Sequence, residues 1–219
     1  MSIFDVIAGY GVVPVISIEN EKDALPLADV LIAAGLPIAE ITLRTEAAIG
    51  AIAQIARHRP DMLVGAGTVL FEDQLEAVQS AGAKFALSPG IDVATLSAAK
   101  TLGLPFAPGV MTPSDVQIAL RSGCNMVKFF PATAAGGLPM LKSLAEPFRH
   151  TGLRFNPTGG IRPDTMTDWL GYGPVAAVGG SWIASTQDIS RRNWAAIYDR
   201  AEAAKASVHQ FRLSGQTSV

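Results

Sequence analysis

Chemistry-bearing side chains are scarce in this sequence of 219 residues, and each scarcity removes a class of function. A single cysteine, Cys124, leaves no room for an internal disulfide or a thiolate metal cluster; it reads as a small buried apolar residue and suits a reducing cytoplasm. The three histidines, His58, His150 and His209, fall near helix ends or in the C-terminal stretch, and none falls on a strand end. A divalent site would have to be almost all carboxylate, and Asp92, Asp115 and Asp164 each sit where a helix begins and read as caps. No metal and no cofactor is expected. Lys and Arg number 17 against 19 Asp and Glu, a net charge of −2, and the cations are scattered. Neither a nucleic-acid stripe nor a polybasic membrane patch is visible. No apolar run approaches the roughly 18 residues needed to span a bilayer. The short one at Val12 to Ile18 contains Pro14 and has no Lys or Arg before it, unlike a signal peptide. A soluble, cytoplasmic protein is expected.

What the sequence does have is a large apolar fraction, 49%, enough to bury a sizeable core in one domain covering residues 1–219. Short β-rich runs alternate with segments of helical period. The candidate strands start at Val12, Ile38, Leu63, Phe85, Pro105, Met126, Arg154 and Val175. Between them lie amphipathic segments such as Trp194, Ile197, Tyr198 and Ala201, spaced for one helix face. Thr112-Pro113-Ser114-Asp115 marks a helix start, and Gly35, Gly82, Gly103 and Gly123 mark helix ends. Strict βα alternation predicts a parallel sheet, and eight units favour a closed (β/α)8 barrel over an open sheet. The first strand is followed by Ile18-Glu19-Asn20-Glu21 rather than a glycine-rich dinucleotide turn. Residues 1–11 read as an extra N-terminal helix, and residues 209–219 as a mobile tail.

In such a barrel chemistry sits at the carboxyl ends of the strands. Lys128 stands there inside Met126-Val127-Lys128-Phe129-Phe130-Pro131. An amine in apolar surroundings is held toward its uncharged form, which attack on a ketone requires; a structural ion pair, or a stem snorkelling from the strand end, would produce the same pattern. Glu40, Thr42 and Arg44 alternate at period two and share one face of the second strand, opposite the sixth, so Glu40 can reach Lys128. A carboxylate beside a lysine suits proton transfer, and it equally suits charge neutralisation of Lys128 or Arg44. Arg44 and Thr68 on neighbouring strands suit a small carboxylate, although Gly65-Ala66-Gly67-Thr68 also reads as a tight strand end. Gly159-Gly160 and Gly179-Gly180-Ser181 follow the last two strands, where backbone N–H groups and a short helix N-terminus commonly bind phosphate.

With these residues in place, the sequence resembles the class I aldolases of the 2-keto-3-deoxy-6-phosphogluconate / 4-hydroxy-2-oxoglutarate family. The matching motifs are Glu40-Ile41-Thr42-Leu43-Arg44-Thr45-Glu46, Val64 to Val69, Ser88-Pro89-Gly90, Val127 to Ala132, Pro157 to Ile161 and Gly179-Gly180-Ser181-Trp182, in the family's order. The resemblance implies a (β/α)8 barrel, a homotrimer, and a Schiff base between Lys128 and pyruvate, with Glu40 as general acid/base. It further implies that Arg44 and Thr68 hold the pyruvyl carboxylate and that Pro89 and Phe130 line the pocket. Thr158, Gly159 and Gly160, with Gly179, Gly180 and Ser181, would take the phosphate. The implied substrate is a phosphorylated keto-deoxy sugar acid, cleaved reversibly to pyruvate and glyceraldehyde 3-phosphate; the runner-up is 4-hydroxy-2-oxoglutarate. A phosphate-binding isomerase or epimerase, or a sugar-phosphate binding protein, would leave Lys128 unexplained. Thr133-Ala134-Ala135 departs from the family, many of whose members carry a glutamate there.

Overall fold

The computed structural model describes residues 1–215. Helix α1 (Ile3–Tyr10) opens with a capping box, in which Ser2 Oγ accepts from Asp5 N–H while Asp5 accepts from Ser2 N–H. It ends at Gly11, whose φ of 73° turns the chain into β1 (Val12–Ile16). Strands and helices then alternate: α2 (Ala24–Ala33), β2 (Ile38–Thr42), α3 (Ala47–His58), β3 (Leu63–Gly67), α4 (Glu72–Ser80) and β4 (Ala86–Leu87). The chain continues through α5 (Val93–Leu102), β5 (Phe106–Ala107), β6 (Gly109–Val110), α6 (Pro113–Arg121), β7 (Met126–Phe129) and α7 (Gly137–Ala145). It finishes with β8 (Arg154–Pro157), α8 (Met166–Leu170), β9 (Val178–Gly180), α9 (Thr186–Ser190) and α10 (Trp194–Leu213). All the strand pairs are parallel, and the β1, β2 and β7 residues are buried. Of the described helices, none is long and apolar enough to cross a membrane.

The expected closed eight-stranded barrel is corrected. The strands form two sheets, one of six in the order β5-β4-β3-β2-β1-β9 and one of three in the order β6-β7-β8. The fifth predicted strand breaks at Pro108, which has no N–H to give to a ladder. Phe106 and Ala107 pair with β4, whereas Gly109 and Val110 pair with β7, so the two sheets part at this residue. At the other junction only the single bridges Phe155 with Val175 and Thr158 with Gly179 join β8 to the segment around β9. The eighth predicted strand is shorter than its apolar run, since only Val178–Gly180 is extended into a ladder.

Helix starts follow the sequence signals at Thr112 and Asp92, whose side chains accept from Asp115 N–H and Thr95 N–H. Asp164 does otherwise: it accepts two hydrogen bonds from Arg162, at 3.0 and 2.8 Å, and makes no cap. The stretch from 209 expected as a tail is helical to Leu213, and Arg212 donates to the carbonyls of Ala8 and Gly9. Residues 216–219 of that tail lie outside the described residues.

Candidate active site

The two sheets meet across the interior at one charged pair. On β2, Glu40 lies in register with Val15 of β1 and Gly65 of β3; on β7, Lys128 lies in register with Gly109 and Asn156. Lys128 Nζ donates to Glu40 Oε1 at 2.7 Å, with the two side chains 6% and 0% exposed. The carboxylate expected within reach of the lysine is thus its hydrogen-bond partner. The Phe130 ring centroid lies 5.6 Å from the same Nζ, a favourable cation–ring contact. Glu40 fits only because β3 offers no side chain at Gly67, where a Cβ would stand 2.1 Å from Oε1. Glu40 Oε2 is buried and takes no hydrogen bond from the protein.

Above the pair opens a cavity of about 300 Å³. Lys128, Phe130, Pro89, Arg44, Thr68, Thr158, Gly159, Gly179 and Ser181, all expected at the site, line it. Gly160 and Gly180 are chain neighbours of lining residues without lining the cavity themselves, and Glu40 reaches it only through Lys128. Val15 and Thr42 also line it; Val15 is a contributor that sequence reasoning missed, because a valine in an apolar strand carries no signal. Among the described residues Arg44 pairs with no carboxylate, which leaves an exposed cation at the mouth. Thr68 holds φ at 57°, a left-handed conformation uncommon for a β-branched residue and of the kind that collects at functional sites.

The glycine-rich loops have reasons beyond a ligand. A Cβ on Gly179 would meet Thr158 Oγ1 at 2.2 Å, and one on Gly180 would meet the Trp182 ring at 2.7 Å. Gly160 has φ of 76°, and its Cβ would lie 2.7 Å from that of Thr133. Thr133 therefore packs on this loop; its N–H and that of Ala132 donate to the carbonyls of Gly159 and Thr158, at 3.0 and 2.8 Å. The helix N-terminus expected beside Ser181 lies farther along, since α9 begins at Thr186 under a Ser185 cap. The segment between them is pinned by Arg200, which donates from Nε to Ile183 O at 3.1 Å and from Nη2 to Asp188 at 2.6 Å. The Ser185 hydroxyl and then Arg200 hold the Asp188 carboxyl below its ordinary range. Far from the cavity, at the amino ends of the strands, burial pushes the Cys124 thiol up to about 11.

Known proteins match along nearly the whole chain. A family model described as KDPG and KHG aldolase matches residues 3–200. The 2-dehydro-3-deoxy-phosphogluconate aldolase of Haemophilus influenzae is 43% identical over 183 residues, which cover 84% of this chain and 85% of the relative. The KHG/KDPG aldolase of Escherichia coli is 43% identical over 189 residues, 86% of each chain. Among solved structures, KDPG aldolase from Legionella pneumophila, with pyruvate captured at low pH as a covalent carbinolamine intermediate, superposes with a TM-score of 0.88 at 42% identity. That match covers 93% of this chain and 98% of the other.

Proposed function

The chain belongs to the KDPG and KHG aldolase family, and we propose that it is a class I aldolase cleaving 2-keto-3-deoxy-6-phosphogluconate reversibly to pyruvate and glyceraldehyde 3-phosphate. The observation that carries the reading is the buried Lys128 amine, 2.7 Å from Glu40 and open to the cavity. As Glu40 takes a proton from the ammonium, the freed lone pair attacks the C2 ketone to give a carbinolamine, and return of that proton to the carbinolamine hydroxyl expels water and leaves the iminium. The iminium is the electron sink: Glu40 removes the C4 hydroxyl proton, the C3–C4 bond breaks, and its electrons form the enamine as the aldehyde leaves. Protonation at C3 and addition of water release pyruvate and restore the amine.

In this reading Arg44 and Thr68 hold the pyruvyl carboxylate while Pro89 and Phe130 bound the ketone. The loops of Thr158, Gly159 and Gly160, and of Gly179, Gly180 and Ser181, receive the phosphate. The proposal also includes a homotrimer in the cytoplasm; sedimentation velocity tests the trimer. The decisive test of the chemistry is borohydride reduction in the presence of pyruvate, followed by peptide mass mapping. A reduced pyruvyl adduct on Lys128 is expected. An active enzyme that yields no adduct would overturn the covalent mechanism.

A further inference from the structure

The Thr42 hydroxyl is buried on the cavity wall and sits at a crossing of three hydrogen bonds. It donates to the carbonyl of Ile16 at 3.0 Å, faces Ser17 Oγ at 2.8 Å, and accepts from Arg44 Nε at 3.2 Å. A hydroxyl has one proton and two lone pairs. With the proton on Ile16 and one lone pair facing Arg44, the remaining lone pair requires Ser17 to be the donor. The hydroxyl is thus fully committed, its orientation fixed by a backbone carbonyl on β1.

That fixed hydroxyl has a consequence for Arg44. Nε is occupied, so the side-on face of the guanidinium is unavailable, and four N–H groups on Nη1 and Nη2 remain for a ligand. We propose that Thr42, with Ser17 behind it, is a positioning residue that makes Arg44 receive the substrate carboxylate end-on, through Nη1 and Nη2. An exposed arginine left to itself samples many rotamers; one held at Nε loses less freedom when the anion arrives. The inference rests on the aldolase reading and deepens it, since the Thr42 hydroxyl hydrogen-bonds to neither the amine nor the general base and acts through the carboxylate fork.

The test uses pyruvate as the probe and borohydride trapping on Lys128 as the readout, in the whole protein. Thr42→Val keeps the shape and removes the acceptor. The pyruvate concentration giving half-maximal trapping should rise roughly 5- to 20-fold, less than the roughly 10- to 150-fold of a lost hydrogen bond to a charged group because the carboxylate keeps its own bonds to Nη1 and Nη2. The trapping rate at saturating pyruvate should stay within about twofold, because the amine and its carboxylate are untouched. Thr42→Ser restores the hydroxyl and should return half-saturation to near native. Ser17→Ala leaves the Arg44 bond in place but frees the hydroxyl on one side, and should give an intermediate rise of roughly 2- to 5-fold. A folded Thr42→Val protein with native half-saturation overturns the inference, as does a Thr42→Ser protein impaired as badly as the valine. Should the valine variant not fold, native half-saturation in Ser17→Ala overturns it instead. Absence of any adduct in the native protein removes the aldolase reading and this inference together; an adduct in the native protein with unaffected variants removes this inference alone.

Discussion

Lys128 and Glu40 invite a stability measurement that separates their charge from their chemistry. At 2.7 Å the pair attracts by about 6 kcal/mol with an effective dielectric constant of about 20. Withdrawing each ion from water costs several kcal/mol, so the pair as a whole contributes little net stability. Removing one partner is a different matter. Lys128→Met strands a fully buried carboxylate, and Glu40→Leu strands an amine with apolar neighbours; each should cost about 3 to 5 kcal/mol, a large part of the 5 to 15 kcal/mol typical of a folded domain. The double replacement fills the same space with apolar side chains and should lie within about 2 kcal/mol of the native protein, far from the roughly 6 to 10 kcal/mol that additivity would give. Equilibrium urea unfolding at one fixed protein concentration measures all four proteins, and an unchanged m-value keeps the comparison fair. Losses that simply add in the double variant would refute the coupling. Single losses below about 1 kcal/mol would refute the burial, since a pair reached by water is worth no more than that.

Three further outcomes follow from the site and its surroundings. Glu40→Gln keeps the shape and removes the proton acceptor, so turnover should fall roughly 10²- to 10⁴-fold while borohydride still traps pyruvate on Lys128; a raised KM with unchanged kcat would make Glu40 a binding residue. Ser181→Ala should lower kcat/KM about 10- to 150-fold for the phosphorylated substrate, the cost of one hydrogen bond to a charged group, and much less for 4-hydroxy-2-oxoglutarate. Equal losses on both would remove the phosphate from that end of the cavity. Cys124, its thiol pushed up to about 11 by burial, should react with iodoacetamide at pH 8 roughly a hundredfold more slowly than a free cysteine and accelerate with rising pH, as only the thiolate attacks; fast alkylation at pH 8 would show the thiol to be exposed.

Much of the site was legible because buried charge is expensive and therefore conspicuous. Lys128 between Val127 and Phe129, and Glu40 between Ala39 and Ile41, stand out in apolar strands, and period two is enough to place Glu40, Thr42 and Arg44 on one face. The closure of the sheet was not legible. It turns on whether Phe106 to Val110 pairs as one strand, and Pro108 diverts that pairing to different neighbours on its two sides. Gly180 illustrates a subtler limit: its need for glycine was apparent, but the occupant of the space is the Trp182 ring, a tertiary neighbour that no local pattern specifies. The end of α10 was hidden for the same reason, since its polar sequence gives no sign of Arg212 reaching across to α1.

The left-handed backbone of Thr68 has a bearing on how this protein would respond to directed evolution. Holding a β-branched residue there costs about 1 to 3 kcal/mol, and glycine or asparagine tolerates the same φ far more readily. A library sorted for heat resistance alone would drift toward those two residues and discard the hydroxyl at the cavity mouth. A library sorted for turnover would keep threonine. The two screens disagree at this one codon, and whichever is applied first decides which lineage survives to meet the second.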